Sequence, residues 1–153
     1  MSNYYSNIPE EGCDITHTIH DKSGTAYNIE GHLTPRSLLS HVFSTRRCVG
    51  RINWTISQPG VLTIADLMIF EPLDIKPWWA RVFHKQPPNY KGRGLGSAML
   101  DYIIESARAI GVSEIRGWMT HEDLKATPYL PAFYRKHGFT VDDDNLTFYQ
   151  VLG

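Results

Sequence analysis

Residues Lys91-Gly92-Arg93-Gly94-Leu95-Gly96-Ser97-Ala98-Met99-Leu100 place three alternating glycines directly before a helical pattern. Glycine lacks a Cβ, so the backbone there can turn tightly and approach a ligand closely. The first turn of a helix leaves its N–H groups without partners, and the helix dipole makes that end positive. The combination binds anions, phosphates above all. Lys91 and Arg93 add cationic side chains at the same place. A P-loop is excluded, because it requires Gly-x-x-x-x-Gly-Lys-Ser/Thr and Ser97 follows Gly96 with no lysine between them. A dinucleotide fingerprint requires Gly-x-Gly-x-x-Gly. Counted from Gly94, its third glycine position is Met99, and the register from Gly92 fails as well. A turn that merely joins two elements remains the alternative to a phosphate site.

The elements that would position this loop are legible around it. Met99, Leu100, Ile103, Ile104, Ala107 and Ile110 recur at three- and four-residue spacing, the apolar face of a helix. Gly111 stands where such a helix stops. Val112 to Thr120 then reads as a strand, with Ile115, Gly117 and Met119 on one face and Arg116, Trp118 and Thr120 on the other. Thr127-Pro128 signals a second helix, which could instead begin at Pro131. It carries Phe133 and Tyr134 and ends at Gly138. Phe139 to Asp142 and Leu146 to Leu152 read as a closing pair of strands.

Two motifs in this half resemble the GNAT N-acetyltransferase superfamily. Lys91-Gly92-Arg93-Gly94-Leu95-Gly96 is similar to that family's acyl-CoA loop, Arg/Gln-x-x-Gly-x-Gly/Ala. Ala132 to Phe139 contains the Tyr-x-x-x-Gly-Phe helix end. Leu67-Met68-Ile69 resembles the end of the strand before the loop. The resemblance covers roughly residues 60–140, with helix, strand and helix between the motifs. Departures are Lys91 at the usual arginine or glutamine, Thr127 at a frequent asparagine, and a long Glu71–Tyr90 connection. The two helices common near the family's N-terminus have no clear signal.

The resemblance implies a mixed, mostly antiparallel α/β sheet flanked by helices, here with reduced N-terminal helical content; length and composition suit a single domain over residues 1–153. It implies acetyl transfer from acetyl-CoA to a small-molecule or peptide amine by direct attack on the thioester. Lys91, Gly92, Arg93, Gly94, Leu95, Gly96 and Ser97 would hold the pyrophosphate, and Met68 and Ile69 the pantetheine arm. Tyr134 would protonate the leaving thiolate; its alternative role is packing, with the hydroxyl bonded to backbone. Glu71 is the first candidate base and Asp66 the second, with His84, His121 and Glu122 further candidates. Trp78 and Trp79, on the proline-rich 71–90 segment, would form either an acceptor-binding lid or local core. A domain that binds acyl-CoA without turnover is the alternative function, and a phosphate-binding module unrelated to coenzyme A is a third.

Composition sets the remaining bounds. A chain of 153 residues can bury one core. Net charge of −1 makes no electrostatic case for nucleic acid. His17 and His20 are three apart but lack a third ligand at metal spacing, so no metal is expected. Cys13 and Cys48 fall in no redox motif and read as reduced thiols. There is no signal-like apolar segment and no run long enough to span a membrane, so a cytoplasmic protein is expected. A homodimer is compatible with this reading. Cys13–His20 and Thr25–His32 read as strands, Ser37–Ser44 as strand or short helix, and Arg47–Ser57 as an alternating strand. Val61–Phe70 is nearly continuously apolar and is expected to be a buried central strand. The first half should therefore be an antiparallel meander feeding the cofactor-binding half.

Overall fold

The computed structural model describes residues 8–70 and 92–153. Five strands open the fold: β1 (Cys13–His20), β2 (Ala26–Thr34), β3 (Ser37–Ser44), β4 (Arg47–Gln58) and β5 (Val61–Ile69). Helix α1 (Leu95–Ile110) leads to β6 (Glu114–Trp118), then to α2 (His121–Ala126) and α3 (Leu130–Lys136). Strands β7 (Thr140–Asp142) and β8 (Thr147–Val151) close it. All eight strands form one sheet, in the order β1-β2-β3-β4-β5-β6-β8-β7. Every pairing is antiparallel except β5 with β6. Among the described residues no helix precedes β5, which matches the reduced N-terminal helical content expected.

Period-two alternation builds the meander. Ile29, Leu38, Val42, Ile52 and Trp54 are fully buried on one face, while Glu30, Leu39 and His41 are exposed on the other. Ser37–Ser44 is a strand, and its inward Ser40 stays satisfied by donating from its hydroxyl to the Ile52 carbonyl at 2.7 Å. Helix α1 lays Leu95, Met99, Leu100, Ile103 and Ala107 against the inner face of the sheet, all fully buried. Gly111 ends it with φ 90°.

Three expectations are corrected. The central strand is buried only through Val61, Leu62 and Ile64; residues 65–69 are partly or well exposed, because the sheet opens there. The strand after α1 is shorter, Glu114–Trp118, because Thr120 leaves it to cap a helix. Thr127 is not the N-cap of the Tyr134 helix. It terminates α2, donating its N–H to the Asp123 carbonyl at 2.8 Å, and α3 starts at Leu130 with Pro131 in its first turn.

Candidate functional site

Among the described residues no side chain caps the start of α1. Its N-cap is Gly94, with φ 81°, no side-chain cap bond and no acidic residue in the first turn. Helix α2 shows the contrast: Thr120 and Asp123 cap each other's backbone N–H reciprocally, and Glu122 and Asp123 occupy its first turn. Gly94 is glycine for two local reasons. The left-handed φ disfavours a side chain, and a Cβ there would lie 3.1 Å from the Lys22 Cβ. Gly92 is also left-handed, at φ 78°.

The β1–β2 turn braces this loop from the other end of the chain. Lys22 donates its N–H to the Arg93 carbonyl at 3.0 Å. Asp21 organises the turn: its carboxylate accepts from the Ser23 N–H and hydroxyl, the Thr25 N–H and, at 2.8 Å, the Tyr27 hydroxyl. Asp21 and Tyr27 are both buried. Arg93 engages Tyr27 from the loop side. The Ser23 hydroxyl leads the hydrogen bonds that hold Asp21 down at about 2, against burial. Tyr27 is pushed up by burial and by Asp21.

A lowered folded-state value means that Asp21 stabilises the fold fully above its unfolded value of 3.8 and loses that contribution as pH falls toward about 2. Asp21→Asn should therefore lower the thermal midpoint at neutral pH, and the difference from the parent should shrink through that window. A difference that stays constant with pH would show that the carboxylate charge is irrelevant to the turn.

Tyr134 is positioned by its own helix end. Gly138, at φ 89°, donates to the Arg135 carbonyl, and Phe139 donates to the Tyr134 carbonyl, both at 3.0 Å. This is a Schellman motif, and it folds Phe139 back edge-on to Tyr134 at 5.6 Å between centroids. Phe148 stacks on the other side at 3.8 Å. Phe148 fits because residue 117 is glycine; a Cβ there would collide with its ring. Tyr134 is thus 4% exposed, and its hydroxyl has no hydrogen-bond partner among the described residues. Burial, then the charge of Asp123, pushes it above the usual tyrosine value. At the start of α1 the Ser97 hydroxyl lies 2.9 Å from His137 Nε2.

Between these parts the sheet splits. β5 and β6 pair only at Val61–Glu114, Leu62–Ile115 and Thr63–Arg116. On its other edge β5 skips one residue, since Asn53 faces Asp66 but Trp54 faces Ile64. Ala65 is therefore a bulge, which bends the strand at the point where the split opens. The β6-facing edge of residues 64–69 has no strand partner among the described residues. A cavity of about 1050 Å³ fills the split, reaching from Lys22, Gly94 and Ser97 past Met68 and Ile69 to Tyr134. Trp118 and Tyr129 stand at its wall and are 57% and 58% exposed.

The structure brings together the cofactor candidates Met68, Ile69, Gly92, Gly94, Gly96 and Ser97 with Tyr134 and Asp66 around this one cavity. Leu95 is fully buried beneath the loop instead, and Arg93 turns to Tyr27. Asp66 accepts from the Asn53 amide at 2.8 Å and lies 3.5 Å from an Arg51 nitrogen. His121 and Glu122 are exposed in the first turn of α2. Glu71, Trp78, Trp79, His84, Lys91 and the 71–90 connection lie outside the described residues.

Sequence reasoning missed Lys22, Ala65, Asp123, Tyr129 and His137 as parts of the site. Thr120-His121-Glu122-Asp123 did carry a signal, the capping spacing that sets Asp123 near Tyr134. The others depend on pairings distant in sequence, and a bulge or a turn docking has no local signature.

Residues 81–141 match the family model of the acetyltransferase (GNAT) domain. No curated protein matches the sequence. Among solved structures, the chain is similar to the PaiA N-acetyltransferase of Thermoplasma acidophilum in complex with coenzyme A, at 17% identity and TM-score 0.52. That match covers 76% of this chain and 62% of the other. The IAA acetyltransferase of Bacillus cereus aligns at 15% identity and TM-score 0.56, over 76% of this chain and 79% of that one. A cAMP-binding acyltransferase from Mycobacterium smegmatis aligns at 9% identity and TM-score 0.62, over 92% and 48%. The chain thus spans less than two thirds of the first and third of these proteins. At such identities the likeness establishes the fold. The stretch that matches the acetyltransferase (GNAT) domain model holds both the glycine loop and the Tyr134 helix, and the fold is the one these acetyltransferases share.

Proposed function

We propose that the protein transfers an acetyl group from acetyl-CoA to an amine. The observation that carries the reading is the split between β5 and β6, with an uncapped helix start at one end and Tyr134 beside it. Each part of acetyl-CoA has a matching surface. The pyrophosphate suits the N–H groups of Gly94–Ser97, in a first turn that carries no acidic residue. The pantetheine arm carries amides and can pair with the free edge of residues 64–69, as an added strand would. The thioester then lies near the bulge and Tyr134.

The amine nitrogen attacks the thioester carbon and forms a tetrahedral intermediate. The C–S bond breaks as the carbonyl re-forms, and the nitrogen loses a proton to water. Asp66, at the split, draws the ammonium form of the acceptor toward that point, and the ammonium releases a proton to water before its nitrogen attacks. Tyr134 stays protonated at any working pH because burial raises it. A phenol so raised is a weaker acid than a thiol. Its hydroxyl therefore donates a hydrogen bond to the sulfur throughout; as negative charge builds there the proton passes to the sulfur, and the phenolate is at once reprotonated from the water that took the nitrogen's proton. Trp118 and Tyr129 offer aromatic walls to the incoming acceptor.

The test is thiol release from acetyl-CoA with a panel of small amines and peptides, followed by the mass of the acceptor. An amine-dependent release with an acetylated product is expected. Tight acetyl-CoA binding with no release across the panel would replace this reading with a non-catalytic acyl-CoA sensor.

A further inference from the structure

We infer that Lys22, presented by the β1–β2 turn, is a pyrophosphate-binding cation of the acyl-CoA site; this rests on the function proposed above. The loop motif points elsewhere for its charge, to Lys91 and Arg93. Lys91 lies outside the described residues. Arg93 engages Tyr27, whose hydroxyl also donates to Asp21, so this guanidinium fastens the loop to the hairpin. Among the described residues, the lysines that line the cavity are Lys22 and Lys136.

Lys22 is fixed at the helix start by three independent features. Its N–H donates to the Arg93 carbonyl at 3.0 Å. Its stem lies over Gly94, with Cβ and Cγ at 3.1 and 3.4 Å from where a Cβ on that glycine would stand. The residue before it, Asp21, is 6% exposed and accepts four hydrogen bonds that set the turn. The backbone and stem are thus held in place while the side chain remains exposed. A lysine so anchored reaches an anion bound at Gly94–Ser97 and loses little chain entropy on doing so. The packing also accounts for Gly94: any side chain there would displace the lysine stem. The hairpin lies about seventy residues from the loop in sequence and outside the 81–141 stretch that matches the family model.

The experiment is calorimetric titration of the parent, Lys22→Met and Lys22→Arg with coenzyme A and with 3′-dephospho-coenzyme A, at low and high salt. Lys22→Met should bind both ligands about tenfold more weakly at low salt, the loss of one charge-assisted contact. That difference should narrow at high salt. Lys22→Arg should restore most of the affinity, and thermal midpoints should stay together because the side chain is exposed. If the parent binds both ligands and folded Lys22→Met binds them equally well, the lysine assignment fails and the acyl-CoA reading stands. A loss confined to coenzyme A would move Lys22 to the 3′-phosphate and overturn the pyrophosphate assignment. A parent that binds neither ligand would defeat the acyl-CoA reading itself. Should Lys22→Met fail to fold, Lys22→Gln carries the same test.

Discussion

Gly96→Asp is expected to weaken acetyl-CoA binding by about a hundredfold or more while the protein folds as well as its parent. Gly96 sits in the first turn of α1 and lines the cavity. It does not share the left-handed φ of Gly92 and Gly94. A Cβ there meets Ile69 and Phe133 at 3.7 Å, ordinary contact distance. An acid in the first turn favours a helix by about 0.3–1 kcal/mol. The same carboxylate would face the pyrophosphate. Two like unit charges about 5 Å apart repel by about 3 kcal/mol at an effective dielectric constant of about 20, which corresponds to roughly two orders of magnitude in affinity. Stability and binding should therefore move in opposite directions. Gly94→Asp is the poorer probe, since it would strain the backbone and displace Lys22. A folded Gly96→Asp protein with parental acetyl-CoA affinity would remove the phosphates from this helix start.

Tyr134→Phe should lower kcat by roughly tenfold to several thousandfold and leave acetyl-CoA affinity nearly unchanged. The ring contacts with Phe133, Phe139 and Phe148 persist in phenylalanine. The lost hydroxyl had no partner among the described residues, so thermal stability should hold. Because Tyr134 is raised, its protonated form should survive to higher pH than an ordinary tyrosine. The parent's kcat should then show no alkaline fall from this residue below about pH 10. Equal turnover in the two proteins, with the chemical step rate-limiting, would leave Tyr134 as a packing residue.

Much of this arrangement was legible because it is local. The glycine spacing, the α1 stripe from Met99 to Ile110 and the Gly138–Phe139 helix end each depend on neighbours in sequence. The Tyr-x-x-x-Gly-Phe pattern turns out to be a helix terminator that aims its tyrosine, which spacing alone does not say. What was not legible depends on distant pairings. Nothing in Val61–Ile69 announces that β6 leaves it after three residues, so an apolar run read as buried core is half a cavity wall. Gly117 looked like an ordinary strand residue until Phe148 was seen to lie over it. Lys22 and Arg93 looked unrelated because the contact joining them spans the whole meander. Thr120 read as the end of a strand and Thr127 as a helix start; the reciprocal bonds between Thr120 and Asp123 instead start a short helix that ends at Thr127.

Hydrogen–deuterium exchange with and without acetyl-CoA tests most directly whether the ligand lies in the split, with its phosphates on α1 and its pantetheine along β5. Peptides covering residues 64–69 and 94–99 should both gain protection on binding, because the free strand edge and the open helix start acquire acceptors in the same event. Saturating acetyl-CoA that protects neither segment, or protects 94–99 while 64–69 exchanges as before, would contradict the account.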